Sequence, residues 1–215
     1  MKRVTASLVA GIAAALLAPL PVAGADTGSS SLSGGGSSGG GSSSLSGNKS
    51  ELPPYAQWIG EITPVVAEAK TYLAGRLPGA TKPAIVFDID NTTLETSYNA
   101  GLIIPAIQPV LDLATWAKQN GAAIIFVTGR PALIGAYSQA NLTSVGYPVD
   151  GLYGSAPTTL SAGNAGLAEY KTASRVDIES KGYTIVANIG NSPSDLSGGH
   201  AERTFKFPDY NGALN

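Results

Sequence analysis

Three short apolar runs, each ending in polar residues, constrain the fold of this 215-residue chain more than any other feature. The runs occupy residues 84–87, 123–127 and 184–189. They are uninterrupted and rich in β-branched residues, as is typical of strands buried on both faces of a parallel sheet. Because ligands bind beyond the carboxyl ends of the strands in such sheets, we expect the three polar ends to converge on one site.

The segments between these runs carry apolar residues at helical spacing. The predicted helices span residues 58–73, 108–118, 131–145 and 166–181, with further short strands at 152–153 and 204–207. Thr63-Pro64 either kinks the first helix or restarts it, with Thr63 as N-cap. The alternation of strands and helices predicts an α/β fold, a doubly wound parallel sheet with helices on both faces.

Residues 1–25 have the layout of a secretory signal peptide. Met1-Lys2-Arg3 supplies a basic start, residues 8–20 are almost wholly apolar, and Ala23-Gly24-Ala25 matches a small-residue cleavage site. The alternative is an uncleaved membrane anchor, but the apolar stretch is short for a span and is broken by proline. The sequence therefore predicts a secreted or extracellular protein without stable membrane insertion after cleavage.

The remaining chain divides into a linker and a domain. Residues 26–50 are rich in Gly and Ser and are expected to form a flexible linker, either a passive spacer or a tether. Residues 51–215 are enough for one domain with its own core, and this core must provide the stability because the chain has no cysteine. The net charge is −2 and no long basic run occurs, which argues against a nucleic-acid partner. The sequence does not specify an oligomeric state.

The first apolar run ends in Asp88-Ile89-Asp90, which places two carboxylates close together. Two such carboxylates repel each other, and a divalent cation relieves the repulsion. Oxygen ligands without a Cys or His cluster suit Mg²⁺ better than zinc. With a cation bound, one carboxylate can attack phosphorus while the other moves a proton. The alternative for this pair is a surface turn or a helix N-cap.

The other polar residues also have simple structural alternatives. Thr128-Gly129-Arg130 offers a hydroxyl and backbone N–H groups to an anion where Pro131 opens the predicted helix, but a threonine that only caps this helix fits equally well. Lys171 lies beside Glu169 and is also explained as a solvated lysine. Asp195 is also explained as the cap of a turn.

The order of these elements along the chain resembles the haloacid dehalogenase-like (HAD) hydrolase superfamily. The residues around these motifs are similar to those of its secreted acid phosphatases, the group that includes class B and plant acid phosphatases and vegetative storage proteins. The resemblance covers about residues 55–210 and implies a Rossmann-like core. The elements that carry it are Asp88-x-Asp90-x-Thr92, Thr128, Lys171 and Gly190-Asn191-x-x-Ser194-Asp195.

The resemblance implies a role for five residues. It makes Asp88 the nucleophile that forms an aspartyl-phosphate. It makes Asp90 the general acid and base, and Thr92 the residue that orients Asp90. By the same resemblance Thr128 hydrogen-bonds the transferring phosphoryl group, and Lys171 neutralises the charge of the nucleophile and the phosphoryl group.

The resemblance also implies a Mg²⁺ site formed by Asp88, the Asp90 backbone carbonyl, Asn191 and Asp195. The family usually has an acid where this chain has Asn191, so weaker cation binding is expected. Room for a cap over the site is limited to a short excursion at 95–105, which predicts a minimal cap and an open site. An open site suits a small phosphomonoester or a phosphorylated macromolecule as substrate.

The leading interpretation is thus a secreted, Mg²⁺-dependent acid phosphatase. Two alternatives keep the same fold. One is a non-catalytic storage protein or a protein that binds metal or a phosphorylated ligand. The other is a phosphotransferase in which an alcohol replaces water.

Overall fold

The structure, a computed structural model, describes residues 52–214 apart from the side chain of Leu160. The predicted signal peptide at 1–25 and the predicted linker at 26–50 lie outside the described residues. No helix within residues 52–214 is both long enough and apolar enough to cross a membrane.

Five parallel strands form one sheet in the order β3-β2-β1-β4-β5. The strands are β1 (Pro83–Phe87), β2 (Ala123–Pro131), β3 (Gly151–Ser155), β4 (Thr184–Gly190) and β5 (Thr204–Lys206). The α-helices are α1 (Tyr55–Arg76), α2 (Gln108–Gln119), α3 (Gly135–Ser144), α4 (Pro157–Ser161), α5 (Gly163–Ser180) and α6 (Pro193–Leu196). Two 3₁₀ helices occupy Leu77–Gly79 and Ala132–Ile134. The predicted α/β fold with a parallel sheet is confirmed.

The central strand β1 is buried on both of its faces. Ile85 and Phe87 pack in a core that includes residues of α1 and α2. Ala84 and Val86 point the other way, because side chains alternate along a strand, and pack in a second core with Ile178 of α5. None of the four β1 side chains is more than 1% exposed, which explains the uninterrupted apolar run. Helices therefore cover both faces of the sheet, as predicted.

The strand register brings the polar ends together. Phe87 at the end of β1 pairs with Phe126 of β2 on one side and with Ile189 of β4 on the other. Asp88 follows directly after Phe87, so it leaves the sheet at the same edge as Thr128 and Asn191.

Helix α1 runs without interruption through Pro64. The Thr63 hydroxyl donates to the Ile59 carbonyl at 2.7 Å, inside the helix, so the alternative that Thr63 caps a second helix is wrong. Proline removes one backbone hydrogen bond from a helix. Trp58 and Ile62 before the proline, and Leu73 after it, are buried on one face, and this packing holds the helix together.

The predicted start of the third helix at Pro131 is also wrong. Pro131 has φ −57° and ψ 138°, an extended conformation, and it pairs with Ser155 of β3 as the last residue of β2. The register between β2 and β3 shifts between Thr128 and Pro131, so the strand continues after an irregularity. The helix α3 begins only at Gly135, after the 3₁₀ turn.

The chain between β1 and α2 forms the predicted short excursion. Its turns contain no helix or strand, and the Glu95 N–H donates to the Pro105 carbonyl at 3.0 Å where the excursion closes. The cap is therefore minimal.

Candidate active site

An open cavity of about 150 Å³ lies at the carboxyl ends of β1, β2 and β4. It is lined by side chains from these strand ends, by α5 and by the chain near Leu214. The predicted site residues on its wall are Asp88, Asp90, Lys171, Asn191 and Asp195.

Lys171 joins the nucleophile candidate to the last motif. Its Nζ atom donates to Asp88 Oδ1 at 2.8 Å and to Asp195 Oδ1. The three residues are buried, with exposed fractions of 6% for Asp88, 5% for Lys171 and 3% for Asp195. Lys171 comes from α5 on one face of the sheet, so the fold brings together three charges that are up to 107 positions apart in sequence (195 − 88).

The surroundings favour a charged lysine and disfavour a charged Asp88. Burial and the nearby charge of Asp195 raise the pKa of Asp88 to about 7, although Lys171 acts in the opposite direction. Burial lowers the pKa of Lys171, but the charges of Asp88 and Asp195 outweigh burial and raise this pKa above its ordinary value. When both carboxylates are charged, the single ammonium group of Lys171 leaves a net negative charge among the three side chains.

Asp195 is held by hydrogen bonds to its side chain and to its backbone carbonyl. Its Oδ2 accepts from the Ser192 N–H at 2.7 Å at the start of α6, and its carbonyl accepts from Arg175 at 2.7 Å and Asn188 at 2.9 Å. A Cβ atom on Gly190 would lie 2.4 Å from the Asp195 Cβ, so only glycine permits this approach. The Asp195 carboxylate is therefore held in one place.

Asp90 is held by two residues that the sequence did not single out for this role. Arg130 donates from Nη2 to Asp90 Oδ1 at 2.6 Å and from Nε to Oδ2 at 2.9 Å, and Thr96 Oγ1 donates to Oδ1 at 2.7 Å. The resemblance assigned the orientation of Asp90 to Thr92, but Thr92 Oγ1 donates to Asn191 Oδ1 at 3.0 Å. Arg130 and Thr96, and not Thr92, orient Asp90 in this structure.

Thr128 is a predicted site residue that does not line the cavity. It is 1% exposed, and its Oγ1 accepts from the Arg130 N–H at 3.1 Å. Gly129 lines the cavity in its place. Because Pro131 continues β2, the helix N-terminus expected at Thr128-Gly129-Arg130 is absent, and the adjacent backbone N–H groups belong to an extended segment.

Asn191 uses both ends of its amide. Oδ1 accepts from Thr92, and Nδ2 donates to the Leu214 carbonyl at 2.8 Å. A backbone carbonyl contributed from 23 residues away leaves no pattern in the sequence, so this partner could not be predicted.

The oxygen atoms at this edge of the sheet fit a hard cation. Asp88 Oδ2 and the Asp90 carbonyl oxygen accept no hydrogen bond from residues 52–214. Asn191 and Asp195, which also carry side-chain oxygens, line the same cavity. Within the described residues no three Asp, Glu, His or Cys side chains group into a metal site, so a cation here would also need amide and backbone oxygens.

His200, the only histidine of the chain, lies away from this cavity. Its Nδ1 is 2.6 Å from Glu179 Oε2 in an exposed pair, which agrees with a surface role.

The family model for the HAD superfamily, subfamily IIIB (acid phosphatase), matches residues 99–213. This match covers more than half of the chain. The chain belongs to this subfamily. Thr128, Lys171, Asn191 and Asp195 lie within the matched range, whereas Asp88, Asp90 and Thr92 precede it. No curated protein matches the chain.

Solved structures of class C acid phosphatases share the fold of this subfamily IIIB protein. The class C acid phosphatase from Bacillus anthracis is 18% identical, with a TM-score of 0.58 over 74% of this chain and 83% of that one. The same enzyme with tungstate bound is 17% identical, with a TM-score of 0.56 over the same shares of the two chains.

Membership of subfamily IIIB makes the protein an enzyme, a phosphoric monoester hydrolase. Phosphatases of the HAD superfamily generally use a divalent metal.

Proposed function

We propose that this subfamily IIIB acid phosphatase is secreted and hydrolyses phosphomonoesters with Mg²⁺, through an aspartyl-phosphate on Asp88. The observation that carries the proposal is the buried arrangement of Asp88, Lys171 and Asp195 beside Asp90 at one edge of the sheet.

In the first step, a carboxylate oxygen of Asp88 attacks phosphorus and the bond from phosphorus to the ester oxygen breaks. Asp90 gives its proton to the departing alkoxide, which leaves as the alcohol. Lys171 stays protonated between Asp88 and Asp195 and offsets the negative charge that gathers around the phosphoryl group. The resemblance gives the Thr128 hydroxyl, whose proton is not used in its bond with Arg130, a hydrogen bond to a phosphoryl oxygen. Because Thr128 is buried and does not line the cavity, this bond requires the chain at Gly129 to shift when substrate enters.

In the second step, Asp90 takes a proton from water, the water oxygen attacks phosphorus, and the acyl phosphate bond to Asp88 breaks. The ion pair with Arg130 holds the Asp90 carboxylate in one orientation for this step. Proton donation in the first step requires this pair to loosen when substrate enters the cavity.

The residues proposed to hold Mg²⁺ are Asp88, the Asp90 carbonyl, Asn191 and Asp195. A bound Mg²⁺ offsets the negative charge shared by the nucleophile and the phosphoryl group. The open cavity supports a small phosphomonoester or a phosphorylated macromolecule as substrate.

The decisive experiment compares hydrolysis of p-nitrophenyl phosphate by the wild type and Asp88→Asn, each with Mg²⁺ and with EDTA. We expect wild-type activity that is lost in EDTA and reduced at least about a thousandfold in Asp88→Asn, because no other carboxylate occupies its position. Asp112→Asn, an exposed change on α2, is the matched control and keeps full activity. Equal activity of Asp88→Asn and wild type would exclude Asp88 as the nucleophile.

Secretion is tested separately. The full chain is expressed with its first 25 residues, and the N-terminus of the exported protein is sequenced. We expect export and a mature chain that begins after Ala25; retention of an uncleaved chain in the cell contradicts this part of the proposal.

A further inference from the structure

One backbone carbonyl accepts hydrogen bonds from two different loops of the active site. The Leu214 oxygen accepts a hydrogen bond from Asn91 Nδ2 at 2.9 Å and another from Asn191 Nδ2 at 2.8 Å. Asn91 belongs to the loop after β1, which carries Asp88 and Asp90, and Asn191 belongs to the loop after β4. The acceptor is thus common to both halves of the site.

Each asparagine is also engaged at its other end. Asn191 Oδ1 accepts from Thr92 Oγ1 at 3.0 Å, and Asn91 Oδ1 accepts from the Ser97 N–H at 2.9 Å. Both positions therefore need a side chain that donates from one atom and accepts at the other, which asparagine does and aspartate does not. An aspartate at either position would place a carboxylate oxygen against the Leu214 carbonyl oxygen.

The segment that supplies this carbonyl is itself anchored. Leu214 is 1% exposed and packs in the larger core. Its N–H donates to the Asp209 carbonyl at 3.2 Å, and the Tyr210 hydroxyl donates to Glu61 of α1 at 2.8 Å. Tyr210 and Asn211 have φ values of 48° and 56°, in the left-handed region. Non-glycine residues persist in that region only where surrounding contacts hold them there.

We propose that the Leu214 carbonyl is a positioning group of the active site, which fixes the loops after β1 and β4 against each other and sets the orientation of the Asn91 and Asn191 amides. Leu214 is then a functional part of the cavity wall, and residues 209–213 hold it there. If a cation binds at Asn191, the Leu214 carbonyl also sets the position of that ligand, and this consequence rests on the proposed function. The positioning of the two loops does not depend on the proposed function.

The test is a double-mutant cycle measured by thermal unfolding of the metal-free protein in EDTA. Asn91→Asp keeps an acceptor for Ser97 but loses the donor to Leu214. A chain ending at Ala213 loses the carbonyl, and Leu214→Ala keeps the carbonyl while removing most of the apolar side chain. We expect Asn91→Asp to lower the melting temperature by about 5 °C in the full chain and in Leu214→Ala, but by at most about 1 °C in the shortened chain. An equal decrease in all three backgrounds overturns the proposal.

A second measurement covers the case in which the shortened chain does not fold. Carboxypeptidase removes Asn215 and then Leu214 from the folded 215-residue protein, and the rate at which Leu214 is released reports how firmly the segment is held. We expect release about tenfold faster in the double variant Asn91→Asp, Asn191→Asp than in wild type. Asn164→Asp adds a charge to the same cavity without breaking a hydrogen bond of the described residues and is expected to match wild type. Equal rates for the double variant and wild type overturn the proposal.

Neither the unfolding measurement nor the carboxypeptidase measurement depends on phosphatase activity. Failure of this proposal is therefore distinct from failure of the proposed function.

Discussion

Asp88 and Asp195 could be selected from the sequence because each follows an apolar run, whereas Lys171 was selected only through the family resemblance. The register of β1 and β4 brings the two carboxylates to one edge of the sheet, and the packing of α5 places Lys171 between them. Arg130 and Thr96 could not be assigned to Asp90 in the same way. Their contacts depend on the path of the chain through the excursion and the irregular end of β2, where no periodicity applies. The role of the Leu214 carbonyl could not be predicted for a further reason. Every residue has a backbone carbonyl, so no residue type in the sequence marks this one.

Gly190→Ala tests how tightly Asp195 is packed. The added Cβ would lie 2.4 Å from the Asp195 Cβ, so Asp195 must move away from Lys171. We expect a melting temperature lower by about 5 °C and a kcat lower by at least about tenfold. The matched control is Gly60→Ala, where nothing lies within 4 Å of the added atom. Unchanged activity in Gly190→Ala would show that Asp195 is not fixed as described.

The raised pKa of Asp88 predicts a pH dependence of stability. Its pKa is about 7 in the folded protein and about 3.8 as the ordinary value, so the folded state binds the proton more tightly. The metal-free protein should therefore lose stability as pH rises from about 4 to about 7, with little further change from this group above that range. Asp88→Asn removes this contribution, so in EDTA its melting temperature should exceed that of wild type at pH 7.5 and approach it at pH 4. The opposite order at pH 7.5 contradicts the raised pKa.

Helices and strands were predicted well where one apolar pattern persists, and poorly where proline decides the local path. Pro64 sits inside a helix because the buried face of α1 continues on both sides of it, whereas Pro131 extends a strand because β3 offers it a partner. The same residue type thus has opposite outcomes, and the difference lies in tertiary contacts that the local sequence does not contain.

The packing of α1 predicts a stabilising change on its outer face. Gly60 lies in the helix, and a Cβ atom added there would have nothing within 4 Å, so alanine adds helix propensity without a clash. We expect Gly60→Ala to increase the free energy of unfolding by about 0.5–1 kcal/mol, measured by urea denaturation. Gly75→Ala, also in α1 and also unobstructed, should behave alike. A decrease in both variants would indicate that the outer face of α1 is covered in solution.

Cation binding should stabilise the whole folded molecule, because its proposed ligands come from loops after two different strands. At a Mg²⁺ concentration about 100 times the dissociation constant, binding adds about 2.7 kcal/mol to the free energy of unfolding. We expect a rise in the melting temperature of about 5–10 °C in wild type and in Asp112→Asn. Asp195→Asn should show little of this rise. A rise of the same size in Asp195→Asn would place the cation elsewhere.

The hydrogen bond between Asn91 and the Leu214 carbonyl also bears on the order in which the protein is made. A ribosome synthesises the loop after β1 more than a hundred residues before Leu214. The Asn91 side chain therefore has no Leu214 carbonyl to bind until translation has reached that residue. Under the proposed secretion, the chain also crosses the membrane in this order. The phosphatase therefore completes its active site only once the sequence through Leu214 has been made and has folded back onto Asn91. A product truncated before that residue should lack a fully ordered site, which confines activity to molecules that carry this segment.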